Sequence, residues 1–217
     1  MKRIALTLCI ASTILFGCSS TDKKESSTTD GTKMDTASTT EKKWIPVDSA
    51  MMNKAWAESM ALGEPHKAMA KTAGTWTADV TMWMGEGEAP MKSTSTSVNT
   101  LLYGGLYEQS KHSGTMMGAP FEGMSLMAYD NTLKEFVSTW IDNMGSGILV
   151  MKGNWDAGSN TINLAGTYRN PANGLDCNMR EVFKIVDDNN HTLEMYGPDP
   201  KTGKEMKSME IKYTRKK

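Results

Sequence analysis

Chemistry in this 217-residue chain would have to come from three histidines, a surplus of methionine and a few carboxylates set among apolar residues. His66, His112 and His191 fall in a helix start, a strand and a turn, without the close spacing of zinc ligands, and no metal site is assigned to them. His191 follows Asp187-Asp188-Asn189-Asn190, a turn-like run that makes it an exposed side chain at a loop end. His112 shares a strand face with Glu108 and Ser110, a polar face expected to meet solvent. The 19 Met include Met51-Met52, Met82-x-Met84 and Met116-Met117. Thioethers are soft ligands that suit copper(I), but methionine also fills irregular cavities and adaptable binding surfaces, and that reading fits these positions better. Glu181 alternates with Leu175, Cys177, Met179, Phe183 and Ile185, which puts it on an apolar face. There it is first a barrel-mouth ion-pair partner and second an enclosed carboxyl, able to act as an acid or a ligand anchor. Cys177 on the same face is a small buried hydrophobe.

Several function classes are excluded at once. Lys and Arg number 24 against 25 Asp and Glu, so no basic face for nucleic acid is present. The stretch 197–204 has the wrong spacing for a phosphate loop and joins strands, and no nucleophile elbow or zinc-protease helix occurs.

The elements that must position these residues begin with an address. Lys2 and Arg3 precede an apolar run over 4–16, the size of a secretory signal core and too short to span a bilayer. Leu15-Phe16-Gly17-Cys18 then resembles the bacterial lipobox, which implies a signal peptide over 1–17, an acylated Cys18 and a cell-envelope location anchored in a membrane, the outer one because Ser19 follows Cys18. Residues 18–43 are dominated by Ser, Thr and charge, a composition that cannot bury enough surface to order itself, and form a tether spanning roughly 25 to 30 Å. Residues 44–73 form a helical segment. Asp48 or Ser49 caps a helix with Met52, Ala55, Trp56, Ser59 and Met60 on one face, and Pro65 opens a shorter one ending at Gly74.

From residue 74 the period changes to two. Trp76, Ala78, Val80, Met82 and Met84 alternate with Thr75, Thr77, Asp79 and Thr81, and further strand candidates follow to residue 217 with turn residues between them. About ten strands without intervening helices exclude parallel pairing, and short connections favour an all-β, antiparallel up-and-down barrel. A barrel of about ten strands encloses more space than its own side chains fill.

Gly74-Thr75-Trp76 after a short helix resembles the Gly-x-Trp hallmark of calycin barrels, the lipocalin and fatty-acid-binding type, and implies that Trp76 plugs one barrel end against a basic residue on the last strand, here Arg215. More specifically, the chain resembles the DUF1579 family of bacterial proteins of unknown function, through Ala73-Gly74-Thr75-Trp76, Phe121-Glu122-Gly123, Tyr129-Asp130-Asn131, 138–145, Arg180-Glu181 and 191–196. Haem-binding barrels of the nitrobindin type have a similar architecture, and that resemblance implies a haem option through His191, otherwise leaving the cofactor open. The expected function is binding of a small apolar or amphipathic ligand, with Trp76, Val80, Met82, Tyr129, Trp140, Glu181 and Phe183 around the cavity. A haem-dependent or lipid-modifying enzyme using the cavity, or a filled barrel acting as an interaction module, are the alternatives.

Overall fold

The computed structural model describes residues 43–217; the signal peptide, Cys18 and all but the last residue of the tether lie outside the described residues. Two helices, α1 (Ser49–Ser59) and α2 (Glu64–Lys71), precede ten strands: β1 (Gly74–Met82), β2 (Met91–Leu102), β3 (Tyr107–Met116), β4 (Ala119–Asp130), β5 (Glu135–Asp142), β6 (Leu149–Asp156), β7 (Thr161–Arg169), β8 (Asp176–Ile185), β9 (Asn190–Pro198) and β10 (Glu205–Arg215). Each strand pairs antiparallel with its sequence neighbours, and β1 pairs with β10, so the meander closes into a barrel without an edge.

Register decides which face is inside, because directly opposed residues share a face. Trp76 opposes Ser97, Ser97 opposes His112 and His112 opposes Gly123. Leu164, Glu181 and Met195 follow the same rule on β7, β8 and β9. Asp79, Lys111, Lys152 and Lys212 stand on the other face and are exposed. Among the described residues, no helix is long and apolar enough to cross a membrane.

The two helices behave differently. α2 starts at Gly63, whose amide donates to His66 Nδ1 at 3.1 Å, and it buries His66, Ala68 and Met69 against one end of the barrel. Helix α1 is capped by Asp48, whose Oδ1 accepts from the Met51 amide at 2.8 Å, but it buries nothing. Its apolar face stays in solvent, with Trp56 63% exposed, and the Asn131 amide group ties its C-terminal end down by donating to the Ser59 and Ala61 carbonyls. The amphipathic pattern was therefore sufficient for the helix and not for its docking. Trp56→Ser is accordingly expected to change the unfolding free energy by less than about 0.5 kcal/mol in a denaturant titration. A loss of several kcal/mol there would show that α1 packs on the barrel.

Candidate functional site

One end of the barrel is sealed. The Trp76 indole, 1% exposed, donates from Nε1 to the Thr72 carbonyl at 2.8 Å, and the Arg215 guanidinium stacks on the ring with Cζ 4.1 Å from its centroid. Arg215 also donates to the carbonyls of Ala73 (2.7 Å), Lys71 (2.8 Å) and Asp188 (2.7 Å). These are the C-terminal carbonyls of α2 and one from the β8–β9 turn, so a single planar cation collects orphaned acceptors from two loops. Gly74, at φ +132°, lies against this guanidinium, and a Cβ there would collide with Nη1. The Gly-x-Trp pattern thus has a local cause: the glycine makes room for the arginine, and the arginine covers the tryptophan.

Above this floor, two packed clusters fill the lower barrel. Ala78, Val80, Ile211 and Tyr213 surround Trp76, while Phe136, Met151, Ile162 and Leu164 form the second, and Phe183 packs against both. Tyr129 stands in the floor beside His66 and Phe136, with ring centroids 5.7 and 5.1 Å away. Trp140 lies higher, between His112 and Phe121, its Nε1 donating to Asp142 at 2.7 Å. Gly123 provides the space for that indole, since a Cβ there would meet the ring at 2.5 Å. Met82 is at the opposite end, facing Met91 on β2 and Met209 on β10.

Burial falls along the axis on most strands. Most inward residues near α2 are buried, although Asn99, Leu101 and Tyr129 keep some surface, whereas Met82, Ser93, Ser95, Ser125, Trp140, Met179, Glu181, Met195 and Met209 point inward and all keep part of their surface accessible. Side chains that face a closed wall and still keep accessible surface line a space. At the rim, Met82, Met91, Met116 and Met117, together with the outward-facing Lys92 and Thr94, border an open cleft of about 550 Å³. Asp199 organises this end: its carboxylate accepts from the amides of Glu86, Lys201 and Thr202, linking the β9–β10 turn to the β1–β2 loop. Those bonds hold it down at about pKa 2, the Glu86 amide first among them. The Asp-Pro start of a turn was the available sequence signal for this residue.

Three polar expectations change. His191 is no exposed loop residue: it is 2% exposed, paired inward between Ile185 and Tyr213, with its ring 4.1 Å from Trp76 and 5.6 Å from Phe183. Burial pushes its pKa down to about 4, and neither ring nitrogen has a hydrogen-bond partner. Both nitrogens are also closed off, so in this packing neither offers an open position to an iron, and the haem option does not fit. The face carrying Glu108, Ser110 and His112 points into the barrel, where burial pushes Glu108 up to about 7 and His112 down to about 4. Among the described residues, Glu181 makes no ion pair. It has no hydrogen-bond partner among the described residues, and enclosure alone pushes it up to about 7.

Glu108 links the site to α2. The Thr72 hydroxyl donates to the Met69 carbonyl at 2.5 Å and also meets a Glu108 carboxylate oxygen, while Ser110 approaches the other oxygen at 3.4 Å. One hydroxyl proton cannot serve both acceptors. A protonated Glu108 resolves the conflict by donating to Thr72, in keeping with its raised pKa.

The DUF1579 model, described as a protein of unknown function, matches residues 61–215. The chain belongs to the DUF1579 family. The match starts before α2 and ends at Arg215, so it spans the sealed floor and all ten strands of this DUF1579 barrel. No curated protein matches the chain. Among solved structures it is similar to Rv2717c from M. tuberculosis, at 10% identity and TM-score 0.53, covering 72% of this chain and 100% of that one. That likeness supports the barrel fold alone. A redesigned β-barrel (13% identity, TM-score 0.37, 69% of this chain and 96% of that one) and a DUF3598 protein of unknown function from Nostoc punctiforme (4%, 0.21, 71% and 100%) are more distant.

Proposed function

We propose that this DUF1579 protein is an envelope lipoprotein, anchored through Cys18, whose barrel is a cup for a small apolar or amphipathic molecule. The observation that carries the reading is the burial gradient: a floor sealed by Trp76, Arg215 and α2, and inward side chains at the other end that line space instead of filling it. Methionines on that wall supply apolar, deformable contact, which suits a flexible ligand better than a rigid one.

The test is a native mass spectrum of the full chain purified from a bacterial envelope, with titration of the neutral apolar fluorophore N-phenyl-1-naphthylamine. Bound mass that leaves on denaturation, or a saturable fluorescence rise above that of empty lipid nanodiscs, is expected. A bare mass together with no saturable fluorophore binding would overturn the cup reading in favour of an interaction module.

A further inference from the structure

Pairing across the barrel aligns an ordered row of inward side chains that starts at the rim. Met91 on β2 opposes Met82 on β1, Met82 opposes Met209 on β10, Met209 opposes Met195 on β9, and Met195 opposes Glu181 on β8. Directly opposed side chains sit roughly 5 Å apart, so four thioethers and one carboxyl form a continuous band across five neighbouring strands. The sequence separates Met82 from Met209 by more than a hundred positions; only closure of β1 on β10 makes them neighbours.

The carboxyl at the end of that band is unusual. Glu181 pairs with inward Leu164 and Met195 and is half-buried, so its side chain borders the internal space. No donor among the described residues satisfies it. Asp142, by contrast, accepts from the Trp140 indole and the Met144 amide, and Glu108 is held by Thr72 and Ser110. Among the described inward positions Glu108, Asp142 and Glu181 are acidic, and the only cation is Arg215, whose donors are spent on carbonyls below Trp76. Among the described inward residues His112 and His191 are held neutral by burial, so no cation near Glu181 compensates its charge. A buried carboxyl without a partner is costly, and a ligand that brings the missing donor or charge relieves that cost.

Resting on the cup reading above, we infer that the ligand is a cationic amphiphile, whose protonated amine or comparable headgroup pairs with Glu181 while its apolar chain lies along the Met195, Met209, Met82 and Met91 band. An anionic amphiphile such as a fatty acid would bring a second negative charge to the same place and is disfavoured. A polar headgroup without charge can still accept a hydrogen bond from protonated Glu181 and falls between the two.

Octylamine, 1-octanol and octanoate share one chain and differ in headgroup charge, and they separate the alternatives. Equilibrium dialysis of the full chain in lipid nanodiscs at pH 7.5, corrected for empty nanodiscs, is expected to give octylamine at least about tenfold tighter binding than octanoate, with octanol between. Glu181→Gln keeps the shape and removes the charge; it is expected to collapse the amine-to-acid ratio towards one. Met195→Ala is expected to weaken all three ligands together without altering their order, and it serves as the comparison should Glu181→Gln fold poorly. Equal binding of amine and acid by the unaltered protein, or a ratio that survives Glu181→Gln, overturns the inference. Saturable octanol binding in that case leaves the cup reading standing, whereas absence of binding for all three ligands overturns both.

Discussion

Replacing Glu108 with Gln is expected to raise the thermal midpoint by about 10 °C at pH 8 and to leave it nearly unchanged at pH 4. Glu108 is 2% exposed, and burial pushes its carboxyl up to about 7, above the ordinary range near 4.5. Below pH 4.5 the carboxyl is protonated folded and unfolded, and it contributes no pH dependence. Between pH 4.5 and 7 the unfolded chain loses the proton while the fold retains it, so stability falls as pH rises. Above 7 the full penalty is present, about 3 kcal/mol for a group shifted this far, which corresponds to about 10 °C in a domain of this size. Gln cannot ionise and escapes the penalty.

The unaltered protein hides this slope. Glu181 titrates with the same sign, but His112 and His191, pushed down to about 4 by burial, titrate with the opposite one. Their unfolded forms take up a proton below about pH 6.5 while the folded forms stay neutral, so they cost stability as pH falls through the same window. The four contributions offset one another between pH 4.5 and 6.5, and only the difference between variant and parent isolates Glu108. Midpoints measured every half pH unit provide that difference. A gap that does not change from pH 4 to 8 would show that Glu108 is already ionised in the fold. The consequence reaches α2: ionised Glu108 can no longer donate to Thr72, which loosens the helix that seals the barrel.

The barrel was legible because its signals are local. Period-two alternation from Trp76 onwards, turn residues between runs and the lack of a crossover helix leave little besides an antiparallel meander. Gly74, Trp76 and Arg215 were expected as a closure only through the resemblance to calycin barrels, which set a basic residue of the last strand against that tryptophan. Alternation separates the two faces of a strand and does not say which is inside. On β3, Glu108, Ser110 and His112 make a polar face that reads as outer surface, and only pairing with β2 and β4 turns it inward. His191 was misread because Asp187 to Asn190 does form a turn, yet β9 begins at Asn190 and its pairing with β10 carries His191 under Trp76. The methionine band was illegible for a topological reason, since its members become neighbours when the last strand meets the first.

Trp76 and Arg215 should be the most expensive residues to alter, and their losses should not add. Trp76→Ala is expected to cost about 4 kcal/mol in urea titration, the range for deleting a large buried aromatic ring from a site that cannot collapse. Arg215→Ala is expected to cost about 3 kcal/mol, because three carbonyls of the floor lose charged donors and the indole loses its cation. Arg215→Lys should recover little of this, since an ammonium reaches neither the three carbonyl directions at once nor the flat stacking on the ring. The double variant is expected to cost about 1 kcal/mol less than the two single losses together, the share carried by the stacked pair itself. Full additivity would mean that Arg215 acts only through the α2 carbonyls and that Trp76 is held by packing alone. A gap opened at this end would also let water into the floor. Binding of N-phenyl-1-naphthylamine by Arg215→Ala should therefore weaken along with stability, whereas Trp56→Ser on the exposed α1 should alter neither.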